Sequence, residues 1–232
     1  MLKKRILVVD DDKDIVRLMR SYLEASGYDV LTAYDGKAAL HAIRRERPDL
    51  VLLDLMLPER DGLEITRLLR SDPMLAQTPV IMVTARVSDT DKIVGLEMGA
   101  DDYITKPYNP REVLARVRAC LRVRDSLGEG FQGKVLRTGG LELDTGTHQV
   151  QVDGRLVGLT VTEFDLLQML LEKAGSVVTR SELIRRALGE EFTGVEQTLN
   201  SHMRNLRYKI EVDHSHPHYI HTVYGVGYRL EG

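Results

Sequence analysis

The sequence predicts an α/β domain built on a doubly wound, five-stranded parallel sheet, followed by a smaller α+β domain of winged helix-turn-helix type. Three observations carry this. The 232 residues exceed what one domain usually needs, at roughly 100–200 residues apiece. Residues 1–125 alternate short apolar runs with helical patterns. Beyond Asp125–Lys134, with three glycines and little apolar periodicity, the texture changes to short strands, three helices and a terminal hairpin. The boundaries read are therefore 1–125, a linker over 126–133, and 134–232.

In the first domain the strand candidates are Arg5–Val9, Asp29–Ala33, Leu50–Asp54, Pro79–Thr84 and Asp102–Thr105. Helical patterns begin near Lys13, Lys37, Leu63, Asp89 and Pro110. Ile6-Leu7-Val8-Val9 and Leu50-Val51-Leu52-Leu53 are apolar on consecutive positions, as parallel strands covered on both faces require. In the second domain, Leu141–Asp144, Gln149–Val152 and Arg155–Val157 read as antiparallel strands joined by Thr145-Gly146 and Asp153-Gly154 turns. Helices follow near Thr162–Lys173, Arg180–Leu188 and Val195–Glu211. Thr179 and Glu182 have capping-box spacing, and Tyr219–Leu230 reads as a hairpin turning through Gly225-Val226-Gly227.

Composition excludes several classes. The chain is 43% hydrophobic and 29% charged, ordinary for a globular protein. No stretch reaches the ~18 apolar residues of a membrane helix, and Ile6–Val9 is too short for the core of a signal peptide. The single cysteine, Cys120, fits a reducing compartment. A cytoplasmic protein without a membrane partner is expected. Residues 1–125 carry 21 basic against 21 acidic side chains, which leaves 11 against 14, net −3, for the rest. Nucleic-acid binding would have to come from a local patch.

Doubly wound sheets bind ligands beyond the C-terminal ends of their strands. Those ends carry Asp10-Asp11-Asp12, Asp54, Thr84 and Lys106. Clustered carboxylates raise one another's pKa, and a hard divalent cation such as Mg2+ relieves the repulsion through oxygen ligands. Asp54 could then act as a nucleophile giving an acyl phosphate. The metal and Lys106 would neutralise the phosphoryl oxygens, and Thr84 could offer them a hydroxyl. The competing reading is that Asp11, Asp12 and Asp14 merely cap the first helix.

Residues 1–125 resemble the receiver domain of a two-component response regulator, flavodoxin-like in fold. The matching motifs are Val8-Val9-Asp10-Asp11-Asp12, Leu53-Asp54-Leu55-Met56-Leu57-Pro58, Asp61-Gly62, Val83-Thr84-Ala85 and Asp102-Tyr103-Ile104-Thr105-Lys106-Pro107. The resemblance implies that a sensor histidine kinase phosphorylates Asp54. It implies that Asp11, Asp54 and the Met56 carbonyl bind Mg2+ (or Mn2+), with Asp10 helping through water. Thr84 and Lys106 would contact the phosphoryl group, and Tyr103 would be the aromatic that packs inward on switching. It also implies a cis Lys106–Pro107 peptide. Haloacid-dehalogenase-type phosphatases share a strand-end aspartyl nucleophile, but their second Asp, two residues on, is Met56 here.

Lys92, Glu97, Asp101, Asp102, Glu112, Arg116, Arg118 and Arg122 form a charge set on the fourth helix, fifth strand and fifth helix. Glu112 and Arg116 have the spacing of an intrahelical pair. OmpR/PhoB-type receivers, however, pair this face across a two-fold axis. Carried over, Lys92 would meet Glu112 of a second copy and Asp102 would meet Arg116, giving a homodimer on phosphorylation.

On a helical wheel of Val195–Glu211, Leu199, Met203, Leu206 and Ile210 form the core stripe. Opposite lie Gln197, Ser201, Arg204 and Tyr208, with Asn200 and Asn205 nearby. Arg207 takes one shoulder, Lys209 and His202 the other. Amides, a hydroxyl and an arginine suit base edges, and flanking cations suit phosphates. A plain solvated helix has the same composition. The segment resembles the recognition helix of OmpR/PhoB-type effectors, including Thr198, His202, Arg204, Leu206-Arg207 and Lys209. Thr160-Val161-Thr162-Glu163-Phe164-Asp165-Leu166-Leu167 and Thr222-Val223-Tyr224-Gly225-Val226-Gly227-Tyr228-Arg229-Leu230 match too. This implies docking in the major groove of double-stranded DNA, with the hairpin as a wing beside the minor groove. Tyr224 and Asn205 stand where the family commonly has basic residues, so a shallow salt dependence is expected. Gly189–Gly194 corresponds to the segment that contacts RNA polymerase in activators.

The expected protein is a response regulator that is phosphorylated on Asp54, dimerises and regulates transcription, without being an enzyme beyond assisting its own phosphoryl transfer and autodephosphorylation. The alternative is a phosphorylation-independent DNA-binding protein whose receiver serves dimerisation alone.

Overall fold

A computed structural model describes residues 3–72, 74–85, 95–96, 98–125, 133–188 and 196–232. The chain divides into two compact units, Met1–Leu121 and Arg122–Gly232.

In the first unit the strands are β1 (Arg5–Val9), β2 (Asp29–Ala33), β3 (Leu50–Asp54), β4 (Val80–Thr84) and β5 (Asp102–Thr105). They form one sheet in the order β2-β1-β3-β4-β5, parallel throughout. The helices are α1 (Lys13–Ala25), α2 (Gly36–Glu46), α3 (Gly62–Ser71) and α4 (Pro110–Asp125). The helix expected from Asp89 falls largely outside the described residues. Side-chain alternation divides the core into two layers. Ile6, Val8, Leu50 and Leu52 pack with Val16, Met19, Val113 and Val117 on one face. Leu7, Val9, Val51 and Leu53 pack with Ile43, Ile65 and Leu69 on the other. Every residue of β3 and β4 is buried, which explains their unbroken apolar runs.

Aspartates cap three of these helices. Asp12 accepts from the Asp14 and Ile15 backbone, Asp35 from Ala38 and Asp61 from Glu64. Each satisfies N–H groups that the first turn leaves without a partner. Gly62 must lack a side chain, because a Cβ there would lie 2.5 Å from the Asp54 carbonyl oxygen.

The second unit opens with an antiparallel sheet of β6 (Val135–Thr138), β7 (Leu141–Asp144), β8 (Gln149–Val152) and β9 (Arg155–Val157), in that order. Asp153 and Gly154 both have positive φ (50° and 76°), as the tight β8–β9 turn demands. Then come α5 (Val161–Glu172), β10 (Val177–Thr179), α6 (Arg180–Leu188), α7 (Glu196–Ile210), β11 (Ile220–Val223) and β12 (Gly227–Leu230). The last three strands pair as β10-β12-β11. One apolar cluster joins α5, α6 and α7 to both sheets through Leu141, Leu167, Leu183, Leu206, Ile220 and Leu230. Thr179 and Glu182 form the reciprocal cap that their spacing predicts: the Glu182 amide donates to Thr179 Oγ1 (3.2 Å) and the Thr179 amide to Glu182 Oε2 (2.9 Å). These bonds, the Thr179 hydroxyl first and then Lys173, hold the Glu182 carboxyl down to about 2. β6 and β10 are additions to the sequence reading. Both are short, Val135-Leu136-Arg137-Thr138 and Val177-Val178-Thr179, and they become strands by pairing with β7 and β12.

Candidate metal centre and nucleic-acid interface

Because the strands of the first unit are parallel, their C-terminal ends share one edge. β1 leads into buried Asp10 and exposed Asp11, β3 ends on buried Asp54, β4 on buried Thr84, and β5 leads into Lys106. One carboxylate oxygen from each of Asp10, Asp11 and Asp54 lies within 4.8 Å of the others, and this is the metal-competent acidic or histidine group found among the described residues. Lys106 Nζ donates to Asp10 Oδ2 and Asp54 Oδ2, both at 2.7 Å. The Asp12 amide donates to Asp10 Oδ1 (3.0 Å) and the Met56 amide to Asp54 Oδ1 (3.2 Å). Asp12 thus fills the helix-capping role, while Asp10 and Asp11 remain with the cluster. The Lys106–Pro107 peptide is cis.

Burial pushes the Asp10 carboxyl above its ordinary value; Lys106 opposes this and the Asp54 carboxylate adds to it. Burial works against the Lys106 ammonium, yet its bonds to Asp10 and Asp54 prevail and hold its pKa above the usual lysine value. Burial also pushes the Tyr108 phenol up to about 12, so it stays protonated at neutral pH. A groove of about 420 Å³ runs past the carboxylates along Asp11, Leu55, Met56, Leu57, Pro58, Asp61 and Leu63. The Met56 side chain is 59% exposed. Tyr103 is half-buried, packed against one of the two core layers and paired with Met82 of β4. Two buried carboxylates and the exposed Asp11 offer hard oxygens to a cation that retains waters, as Mg2+ does.

The expected dimer face is placed otherwise than its charges suggested. Asp101 is fully buried; its carboxylate takes Arg70 Nη2 (2.9 Å) and the Val80 amide (3.0 Å). Both oxygens of Asp102, 2% exposed, accept from Arg116 Nη1 (3.0 and 2.8 Å) within the same chain, and Oδ1 also accepts from the Tyr103 amide (2.8 Å). Glu112 takes Arg116 Nη2 at 2.7 Å, the intrahelical pair that the spacing allowed. A buried carboxylate needs a partner at once, and Arg70 and Arg116 are the nearest. Arg118 is exposed. Lys92 and Glu97 lie outside the described residues, as does the side chain of Arg122.

The reading face of α7 also needs correcting. Thr198, Ser201, His202 and Asn205 are buried alongside Leu199, Met203, Leu206 and Ile210. α7 packs on both α5 and α6, and at 3.6 residues per turn these eight positions cover roughly 200° of arc. A wheel that counts only apolar residues as core misses the polar half. What remains exposed is Gln197, Asn200, Arg204 and Tyr208, a face centred on Asn200 and Arg204 rather than on Ser201. The flanking cations are engaged within the protein as well. Arg207 holds the Ile220 carbonyl (3.0 and 2.8 Å) and Thr222 Oγ1 (2.8 Å), and Lys209 holds Glu163 at 2.6 Å. Tyr224 stands 91% exposed at the hairpin tip. Arg180 and Tyr228, which the sequence reading did not place among the contact residues, both reach Asn200; nothing in their spacing signals this.

Residues 6–118 match the family described as response regulator receiver domain, and residues 154–230 the transcriptional regulatory protein, C terminal, family. The chain is 43% identical over 227 residues to the sensory transduction protein RegX3 of Mycobacterium tuberculosis, covering 98% of this chain and 99% of that one. It is 41% identical over 228 residues to the DNA-binding response regulator MtrA of Mycolicibacterium smegmatis, covering 98% and 97%. Among solved structures it is similar to the response regulator DrrB, an OmpR/PhoB homologue of Thermotoga maritima (35% identity, full coverage of both chains, TM-score 0.54). It is similar also to a mutant of RitR (26% identity, 99% and 100% coverage, TM-score 0.78). Fold, strand-end site and relatives define a response regulator with a DNA-binding domain, not a classical enzyme. The chain belongs to the OmpR/PhoB family of two-component transcription regulators. No helix among the described residues is long and apolar enough to cross a membrane.

Proposed function

We propose that Asp54 is the phosphoacceptor of a sensor histidine kinase and that its phosphorylation promotes pairing of two chains and binding of α7 to operator DNA. The observation that carries this reading is Lys106 Nζ at 2.7 Å from both Asp10 and Asp54, with the Asp11 carboxylate completing the oxygen cluster. In the transfer, an Asp54 oxygen forms the new bond to phosphorus as the bond from phosphorus to the kinase histidine nitrogen breaks. Lys106 offers its ammonium to the incoming phosphoryl oxygens, and Thr84, at the end of the adjacent strand, offers its hydroxyl. Asp10, Asp11, Asp54 and the Met56 carbonyl would hold Mg2+ (or Mn2+), which supplies charge neutralisation of the carboxylates and of the transferred group. Tyr103, half-buried beside β4, is suited to follow a movement of Thr84. The organisation proposed is a phosphorylated switch over 1–125 joined through 126–133 to a DNA-binding domain over 134–232, acting in the cytoplasm. Contact of Gly189–Gly194 with RNA polymerase and autodephosphorylation belong to the same reading.

The test is incubation of the full chain with acetyl phosphate and Mg2+, read by intact-mass spectrometry. The expected result is one added phosphoryl group, lost on chelation of the metal and in Asp54→Asn, with a rise in mass by light scattering when beryllofluoride replaces phosphate. Labelling that persists in Asp54→Asn overturns the assignment. DNA affinity and mass that stay unchanged on labelling would leave the phosphorylation-independent alternative standing.

A further inference from the structure

The exposed face of α7 carries one side chain whose hydrogen-bonding sense is already decided. Asn200 Oδ1 accepts from Arg180 Nη1 at 2.7 Å and from the Tyr228 hydroxyl at 3.0 Å. Arginine can only donate, so the atom that meets it must be the amide oxygen and not the amide nitrogen. A carbonyl oxygen has two lone pairs, and here each has its donor. The arrangement draws on three elements: Arg180 opens α6, Asn200 lies on α7 and Tyr228 on β12. It is braced by the Tyr228 ring, which is buried; the guanidinium carbons of Arg180 and Arg207 lie 5.1 and 5.7 Å from its centroid. Such contacts between cation and ring favour staying in place. Asn200 itself is exposed, and the NH2 group is the end of its amide left for a ligand.

We propose that Asn200 reads its base pair as a hydrogen-bond donor only, favouring guanine over adenine. This rests on the reading that α7 enters the major groove. Asparagine ordinarily recognises adenine with both ends of its amide, donating to N7 and accepting from the N6 amino group. With its oxygen occupied, Asn200 cannot accept from N6. Guanine presents two neighbouring acceptors, N7 and O6, and the two amide N–H groups can serve both. Arg180 is then a positioning residue: it sets the sense of the amide, and through it the base preferred.

The experiment is selection of DNA sites with the full-length protein, followed by affinities for every single base-pair change in the selected site. Guanine is expected at one position of each half-site, with about a tenfold loss on change to adenine. Replacing that guanine by 7-deazaguanine should weaken binding. Asn200→Asp keeps an oxygen for Arg180 and Tyr228 but turns the outward donor into an acceptor. It should move the preference at that position to cytosine, whose N4 amino group donates. Arg180→Met frees one lone pair and should narrow the discrimination between guanine and adenine at that position, whatever it does to affinity for all sites alike. Adenine preferred by the wild type, with affinity lost when its N6 amino group is removed, would overturn the proposal. So would an Asn200→Asp variant with base preferences unchanged at every position. Arg204→Ala separates the two levels. If it weakens binding while Asn200→Asp changes no preference, the amide's sense alone is refuted. If neither variant alters binding, the groove reading fails and takes the proposal with it.

Discussion

The strand-end site of the first unit is set by chain direction, whereas the exposed face of α7 is set by what its neighbours cover. At the site, strand direction does the placing. Parallel strands of similar length must end along one edge, so Asp10, Asp11, Asp54, Thr84 and Lys106 meet there. No other packing detail is needed. On α7, the question is how much of the helix its neighbours cover, and periodicity does not answer it. α5 and α6 bury His202, Thr198 and Asn205 as well as the leucines. Direction is a property of a strand by itself, whereas coverage belongs to its surroundings.

Several measurements can break or sharpen that contrast. The largest effect is expected at Arg70. It donates to the Gly99, Ala76 and Thr78 carbonyls as well as to Asp101. Arg70→Met leaves a buried carboxylate without its cation, and urea denaturation should show a loss of about 3–5 kcal/mol. A loss below about 1 kcal/mol would mean that the Arg70–Asp101 pair does not hold this part of the fold together. Lys106→Met should abolish labelling by acetyl phosphate. It should also make stability depend more strongly on Mg2+, since Asp10 and Asp54 would then lack a counter-charge.

On the other side of the comparison, Arg204→Ala should weaken operator binding about tenfold or more, while Ser201→Ala and Asn205→Ala change affinity little. Equal losses from all three would restore the face centred on Ser201. Tyr224→Arg should tighten binding at low salt and steepen the dependence of log affinity on log salt by about one unit, measured by fluorescence anisotropy across a salt series.

The smallest effects are in pH dependence, and they run in opposite directions in the two units. Asp10 has a raised carboxyl pKa; its contribution is present below the ordinary 3.8 and is lost as pH rises through the raised value. Glu182, held at about 2, contributes stability above the ordinary 4.5 that is lost as pH falls through about 2. Metal-free protein titrated from pH 5 toward acid should therefore loosen the second unit at Thr179–Glu182 while the Asp10 site gains. NMR shifts of the Thr179 and Asp12 amides report the two separately. Lys106 acts at the other end of the scale: its contribution holds below the ordinary 10.5 and fades as pH climbs through its raised value.

Much of the architecture could be read from the chain. Four of the five parallel strands, Arg5–Val9, Asp29–Ala33, Leu50–Asp54 and Asp102–Thr105, fall where the apolar runs put them, and β4 starts one residue later than expected. For β1 and β3, burial on both faces leaves no other place for their apolar runs. The Thr179–Glu182 cap was legible because it is closed by neighbours in sequence. Asp102 and Arg116 were harder. Their charges suit both an intrachain pair and a pair between two chains, and spacing along the sequence does not show that the two side chains lie within 3 Å of each other across β5 and α4 of one chain. β6 matches β7 and β8 in length and β10 matches β9, but the partner of β10 is β12, about 50 residues on in the chain rather than across a Gly-containing turn, and β6 follows directly on the segment read as linker.

What the amino-acid order settled alone is whatever depends on local periodicity and chain direction: the alternation of strand and helix, the caps, and the gathering of acids, hydroxyl and lysine at one edge. What had to wait for the folded molecule is every property that depends on distant segments meeting. These are the coverage of α7, the inward turn of Asp101, and the amide of Asn200 held by an arginine 20 residues before it and a tyrosine 28 residues after. Burial and hydrogen-bond sense are relations between side chains in space, and spacing along the chain does not encode them.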